Sequence, residues 1–158
     1  MPILAQAQTV NQKFGYFSMN KVFNAMPEKV KADKELDELK TKYDVEMKRS
    51  EDDFNAKYED FLEGQRTFAE PILKKRQAEL QIMMQKNVEF KKEAQRLLQQ
   101  AQDDAYSSIK NKLLNTVKTC GTEHKYACII NIDNDRMPYV DTTVGEDISE
   151  ELISTLNK

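Results

Sequence analysis

The sequence has few of the residues that interrupt helices and few of those that catalyse reactions. Its 158 residues include four glycines, four prolines, two cysteines, one histidine and no tryptophan. No Gly-rich phosphate loop, nucleophile elbow or paired ligand motif occurs, so we expect no enzyme. With one histidine and no CxxC spacing, we expect neither a zinc site nor any other metal or cofactor. No apolar run approaches the roughly 20 residues that span a bilayer.

Composition favours an elongated protein with a small core. Apolar residues make up 39 % of the chain, charged residues 32 %, and the mean hydropathy is −0.74. The apolar residues are too periodic for a disordered chain. A net charge of −3 with a pI near 5.4 gives no support to nucleic-acid binding.

The stretch 27–120 is predicted to form a long antiparallel helical hairpin. It is dense in good helix formers, and its main interruption lies between Gly64 and Pro71. Gly64 can supply a left-handed residue that ends the first helix. Thr67 and Glu70 have capping-box spacing, with Pro71 in the turn that follows. We therefore expect the tip of the hairpin near 63–70.

Apolar side chains at steps of three, four or seven on the first helix, and a less regular apolar stripe on the second, predict a seam between the two helices. Residues 27–70 carry a net charge of −5 and residues 71–119 a net charge of +5, which favours their pairing. A chance bias on two solvated faces is the alternative. The predicted seam comprises Leu36, Leu39, Tyr43, Met47, Phe54, Tyr58, Phe61 and Phe68, facing Leu80, Met84, Val88, Ala94, Leu98, Ala101, Ala105, Ile109, Leu113 and Val117.

The segments 13–26 and 121–158 are predicted to form a small β-rich body at the open end of the hairpin. Strands are expected at 13–19, 126–132 and 137–140, and a short helix with Val22 and Phe23 buried after the first. Gly121 is expected to end the second long helix, Asp133 and Asp135 to form a turn, and Ser149 to cap a C-terminal helix. Three short strands and two short helices are too few to bury a good core in a single copy, so we expect an oligomer.

Two features leave alternatives open. Residues 1–12, with the small-x-small pair Ala5 and Ala7, are typical of either the trimmed end of a secretory signal or an ordinary disordered tail. In an exported protein Cys120 and Cys128 form either a disulfide or two buried thiols.

Three pieces of the sequence resemble the Skp/OmpH family of periplasmic chaperones. They are GYFSMNKVFNAMPE at 15–28, LKKRQAELQ at 73–81 and YACIINIDNDRMPYVDTTVGEDISEELISTLNK at 126–158. The resemblance implies a homotrimer whose β-barrel body carries three helical arms around a cavity. It also implies an exported, periplasmic holdase that binds unfolded outer-membrane proteins without ATP. The family's arms are basic, whereas this chain is slightly acidic, and the family's proposed lipopolysaccharide contacts have no clear match here.

Two sets of side chains are candidates for binding. Apolar residues left over from the predicted seam are expected to face clients: Leu73, Ile82, Met83, Phe90 and Leu97. The alternative for each is that it widens the seam. A basic cluster near the tip is expected either to contact lipid headgroups at a membrane surface or to be a solvated tip: Arg66, Lys74, Lys75 and Arg76. The alternative function is a coiled-coil scaffold or tether at the cell envelope with no chaperone activity.

Overall fold

The computed structural model describes residues 13–135 and 137–158, which fold mostly into helices. The elements are β1 (Phe14–Phe17), α1 (Met19–Ala25), α2 (Pro27–Gly64), α3 (Glu70–His124), β2 (Ile129–Asn131), β3 (Gly145–Asp147) and α4 (Ser149–Leu156). The predicted fold class, two long helices with a small β-containing body, is confirmed. The predicted signal remnant at 1–12 lies outside the described residues.

The chain divides into two compact units. We call residues 13–31 with Tyr106–Lys158, apart from 136, the body unit, and Ala32–Ala105 the arm unit. Helices α2 and α3, of 38 and 55 residues, contribute to both units. Among the described helices, none combines the length and the hydropathy that a membrane span requires.

Three short strands form a parallel sheet in the body unit, in the order β2-β1-β3. In the register, Gly15 of β1 is paired with Ile129 of β2 and with Glu146 of β3. Because β1 precedes the long helices while β2 and β3 follow them, the sheet joins the two ends of the described chain. The strand predicted at 126–132 is shorter than expected and comprises Ile129–Asn131.

The strand predicted at 137–140 is wrong, since β3 lies at Gly145–Asp147 instead. Pro138 has no backbone N–H to give to a ladder, which disfavours that segment as a strand. Gly145 permits β3 to approach β1 closely. A Cβ atom added there would lie 2.5 Å from the ring of Phe14, so the absence of a side chain makes the pairing possible.

The core of the body unit forms where α1, α3 and α4 each turn an apolar face inward. Val22 and Phe23 are buried as predicted, and the Phe23 ring packs edge-to-face on Tyr106 with centroids 5.4 Å apart. Ile153 of α4 is only half-buried. The fully enclosed or nearly enclosed side chains are Phe17, Val22, Phe23, Met26, Ile109, Leu113, Ile148, Leu152 and Leu156.

The first turn of α1 is capped both by its own N-cap and by a distant carboxylate. Ser18 is the N-cap, and its Oγ accepts a hydrogen bond from the Lys21 backbone N–H. The Asp133 carboxylate accepts two more, each 2.6 Å long, from the Ser18 hydroxyl and from the Asn20 backbone N–H. The end of β2 is thereby joined to the start of α1.

Ser149 does not cap α4 as predicted, because it is already the first residue of the helix. Its backbone N–H donates to Asp147 Oδ1 at 2.9 Å. Its hydroxyl is buried and accepts from the Ser18 backbone N–H at 3.2 Å, so this side chain joins α4 to the start of α1.

Neither alternative for the cysteine pair holds. Cys120 and Cys128 are free thiols, and only Cys120 is buried. Cys128 lies just before β2 with its side chain exposed.

The prediction that Gly121 ends α3 is wrong, because the helix continues to His124. The left-handed position beyond the helix is taken by Lys125, with φ of 58°. The Tyr126 N–H donates to the Gly121 carbonyl at 3.0 Å, and the Lys125 N–H donates to the Thr122 carbonyl at 3.3 Å. These are the two bonds of a Schellman motif, built here without the usual glycine.

Replacing Lys125 with glycine should therefore raise the free energy of unfolding by about 0.5–1 kcal/mol. A left-handed conformation costs a residue with a side chain roughly 1–2 kcal/mol, and part of that gain is lost to the greater freedom of unfolded glycine. Lys118→Gly, at an exposed site inside the same helix, should instead lose about 1 kcal/mol. Urea unfolding of both variants checks the opposite signs, and a loss in both would contradict the cap.

Candidate functional site

The arm unit is an antiparallel pair of helices held by a narrow seam. Tyr43 of α2 meets Phe90 of α3 edge-to-face, with ring centroids 6.2 Å apart and planes at 81°. Asn87 precedes Phe90 on α3, and its side chain donates at 3.3 Å to the carbonyl of Ser50, which follows Tyr43 on α2. The later residue on α2 contacts the earlier residue on α3, which is the order of an antiparallel pair.

The seam on α3 departs from the predicted one between Leu80 and Ala94. Met84 and Val88, expected in the seam, have 55 % and 59 % of their surface exposed. The more enclosed positions there are instead Met83, Asn87 and Phe90, which continue to the predicted Ala94 and Leu98 at steps of four, three, four and four. The predicted stripe jumped six residues from Val88 to Ala94, and the polar Asn87 concealed the true register.

A cavity of about 310 Å³ lies between α2 and α3 in the arm unit. Its apolar wall combines aromatic, methionine and aliphatic side chains, and lysines and an aspartate lie at its edge. The apolar lining consists of Tyr43, Met47, Phe90, Ala94 and Leu98. Such a wall suits apolar groups of varied shape because methionine adapts its conformation readily.

Large apolar side chains are exposed along the arm unit, outside the seam. Each has between 37 % and 64 % of its surface open, on helices that are otherwise covered with charged residues. They are Val45, Tyr58, Leu62, Ile72, Ile82, Met84, Val88 and Leu97. Single exposed apolar residues are common, but eight on one small unit give it many weak contact points.

The five residues predicted to face clients fall into two groups. Ile82 and Leu97 are exposed, as that role requires. Leu73 and Met83 are half-buried, and Phe90 is half-buried in the seam against Tyr43. The structure thus adds Met84 and Val88 to the exposed set. Client contact by any of these residues stays a prediction.

Charged side chains around these apolar residues pair mainly with neighbours one turn away on the same helix. On α2, Lys40 pairs with Asp44 at 2.5 Å, and on α3 Arg96 contacts Glu93 at 2.7 Å. The hydrogen bond from Arg96 lowers the pKa of the Glu93 carboxyl. Exposed pairs of this kind contribute little to stability, because water screens them. They keep the surface solvated without crossing the seam.

The tip joins α2 to α3 through a tight turn that follows Gly64. The Gly64 carbonyl accepts from the backbone N–H groups of Thr67 and Phe68, at 2.9 and 3.1 Å, and from the Thr67 hydroxyl at 2.9 Å. The hydroxyl bond replaces the predicted capping box. No glycine described in the structure has a positive φ, so the prediction of a left-handed Gly64 is wrong. A side chain at position 64 would collide with the Phe68 ring, because an added Cβ would lie 2.3 Å from it.

The predicted basic cluster near the tip is partly neutralised. Lys74 pairs with Glu70 at 2.7 Å, and Lys75 lies 3.9 Å from Glu79. The Arg76 guanidinium lies over the Phe68 ring, 5.9 Å from its centroid. For Arg66 the described residues supply no ion pair. Contact of this cluster with lipid headgroups stays a prediction.

A separate cluster of titratable groups lies in the body unit. His124 Nε2 is 2.8 Å from Glu151 Oε1, and this hydrogen bond raises the pKa of the imidazole. Burial, with a contribution from Glu151, raises the pKa of the Cys120 thiol to about 11. The Tyr126 hydroxyl donates to Glu146 at 2.6 Å, and burial holds the pKa of Tyr126 well above its usual range.

Sequence reasoning missed this cluster because it ended α3 too early. Cys120 and His124 are four residues apart, a spacing that places two side chains on one helix face. The predicted helix end at Gly121 hides this pattern. In the structure Gly121 makes room for β2, since an added Cβ would lie 3.1 Å from Ile129 Cδ1.

Comparison with known proteins agrees with this architecture. The sequence matches the family described as Outer membrane protein (OmpH-like) over residues 13–156. Among solved structures, the fold resembles the crystal structure of a proposed outer membrane chaperone (OmpH-like) from Caulobacter crescentus CB15. The TM-score is 0.80 at 13 % sequence identity, with 99 % of this chain and 86 % of that chain covered. No curated protein matches the sequence. Since the family match runs from the residue before β1 to the last residue of α4, the chain belongs to the OmpH-like family.

Proposed function

We propose that this protein is a chaperone of the periplasm that holds unfolded outer-membrane proteins and prevents their aggregation without ATP. Membership of the OmpH-like family supports the chaperone class. The observation that carries the proposal is the set of exposed apolar side chains on the arm unit. A holdase requires such a surface and requires no catalytic group.

Weak binding at many points explains how such a surface would work. Each exposed apolar side chain gains at most about 1.5–3 kcal/mol when a client covers it fully, and less when the cover is partial. Once one contact holds a client, the other apolar side chains of the arm are at a high local concentration around it. Several weak contacts therefore combine into a tighter overall affinity. Because each contact breaks easily, release needs no energy source. The charged residues between them keep the arm in solution while it is empty.

We further propose that three copies assemble through their body units. Among the described residues, β2 and β3 each pair on one side only, which leaves two short open sheet edges. Beside β2 the body unit also has an apolar groove that includes Leu114, Val117 and Ile129, and Leu114 is 48 % exposed. Both features are suited to contact with a second copy. In a trimer the exposed apolar residues of three arm units would surround one client.

The test measures how well the full chain suppresses aggregation of a denatured β-barrel outer-membrane protein, followed by light scattering. The variant replaces four exposed apolar residues of α3 with serine: Ile82, Met84, Val88 and Leu97. We expect about tenfold or more protein to be needed for equal suppression, since a loss of about 1.4 kcal/mol in client binding has that effect. Phe90 is left in place because it holds the seam.

The matched control replaces four exposed glutamines of the same helix with serine: Gln77, Gln81, Gln95 and Gln99. It costs at least as much helix propensity, because Gln is a better helix former than Ser whereas Ile and Val are not, and it should suppress aggregation like the unchanged protein. The solution mass of every variant is measured alongside, with three times the chain mass of 18.4 kDa expected. Equal suppression by both variants would reject the apolar surface. A protein that never suppresses aggregation would favour the scaffold function, and a monomer would reject the trimer.

A further inference from the structure

The C-terminal end of α3 and the first turn of α4 bring three metal-binding side chains together in the body unit. Cys120 and His124 lie one helical turn apart on the same face of α3, and Glu151 reaches them from α4. Glu151 Oε1 is 2.8 Å from His124 Nε2 and 3.8 Å from Cys120 Sγ. All three ligand atoms lie within 4.8 Å of one another.

These distances suit a tetrahedral zinc ion. Zinc binds sulfur at about 2.3 Å and nitrogen or oxygen at about 2.0–2.2 Å, which places its ligand atoms roughly 3.3–3.6 Å apart. The two distances to Glu151 Oε1 fall on either side of that range and every ligand pair lies within 4.8 Å, so closure around an ion needs shifts of about 1 Å. Thiolate and imidazole ligands select zinc over magnesium and calcium, which prefer oxygen.

The surroundings orient the ligands and leave a way in. Cys120 is only 5 % exposed, so the body unit holds its thiol in place. The His124 ring stacks on Tyr126, with planes at 10° and centroids 5.2 Å apart, which fixes the plane of the imidazole. The side chains of His124 and Glu151 are 38 % and 43 % exposed. An ion can therefore enter from solvent, and a water molecule can supply the fourth ligand.

We propose that Cys120, His124 and Glu151 bind one zinc ion per chain. On binding, the Cys120 thiol releases its proton to solvent and the thiolate, the neutral imidazole and the carboxylate each form one bond to the ion. The bound ion joins the end of α3 to α4 and so stabilises the folded body unit. The inference is independent of client binding, because the three ligands lie in the body unit and the client surface lies in the arm unit.

Metal titration of the full-length, reduced and metal-free protein tests this site. Zinc is titrated by calorimetry, and cobalt serves as a spectroscopic probe, because cobalt–thiolate charge-transfer absorption reports a Cys ligand directly. We expect one ion per chain, and about tenfold or more weaker binding for His124→Gln and for Glu151→Gln. Zinc should raise the melting temperature of the unchanged protein and have little effect on His124→Gln.

The two cysteines supply the matched comparison. Cys120→Ser should lose the charge-transfer absorption, whereas Cys128→Ser, at an exposed position, should retain it. Cys120 is buried, so the exposed His124→Gln variant keeps the test valid even if Cys120→Ser folds poorly. Absence of zinc binding, binding unchanged in His124→Gln, or loss of the absorption in Cys128→Ser would each overturn the proposal. The His124–Glu151 pair would then serve only to join α3 to α4.

Discussion

Replacing Leu113 with alanine should lower the free energy of unfolding by about 2–5 kcal/mol. The Leu113 side chain lies on α3 in the core of the body unit and has no exposed surface. Its truncation removes apolar contacts and leaves a cavity that a small, closely packed core fills poorly. A net stability of about 5–15 kcal/mol is usual for a domain, so a large share would be lost.

Leu114→Ala is the matched control for this prediction. It removes the same atoms from the next residue of the same helix, but Leu114 is 48 % exposed. Both variants are unfolded in urea at equal chain concentration, with circular dichroism as the signal and the solution mass measured alongside. The mass is needed because Leu114 lines the apolar groove proposed to meet a second copy. Equal losses at unchanged mass would show that burial of Leu113 is not what stabilises the body unit.

The arm helices were the easiest part to predict, but the register of the α3 seam between Leu80 and Ala94 was not. Helix propensity and the scarcity of glycine and proline indicate α2 and α3 directly. The register depends on which face of α3 meets α2, and a half-polar seam leaves that choice open. Asn87 lies in the seam because its side chain reaches the Ser50 carbonyl. Hydrophobic periodicity cannot anticipate a polar contact between residues that are far apart in sequence.

In the body unit, too, sequence patterns do not predict the helix ends and strands that depend on packing. The sequence predicts a helix end at Gly121, but in the structure this glycine packs against Ile129. Lys125 instead adopts the left-handed conformation beyond the end of α3. The sequence does not predict β3, because Gly145–Asp147 has no apolar alternation. The position of this strand depends on its pairing with β1. The cluster of Cys120, His124 and Glu151 forms only because α3 continues past Gly121 and α4 packs beside it.

The turn at Asp133, predicted from its composition alone, has a larger role than a turn. Its carboxylate accepts from the Ser18 hydroxyl and the Asn20 backbone N–H, while the nearby Asn131 Oδ1 accepts from the Met19 backbone N–H. The first N–H groups of a helix have no partner within the helix. Here they are satisfied by residues more than a hundred positions away, which fixes where the end of the chain meets α1.

Asp133→Ala should therefore destabilise the protein by about 2–3 kcal/mol, because it removes two charge-assisted hydrogen bonds and a negative charge from the positive end of α1. Asp133→Asn keeps one acceptor oxygen and should lose roughly half as much. Asp135→Ala, an exposed neighbour, should change stability by no more than about 0.5 kcal/mol. Urea unfolding gives all three values. If Asp133→Ala matched Asp135→Ala, the carboxylate would be only part of a solvated turn, and the attachment of β2 to α1 would rest on the sheet alone.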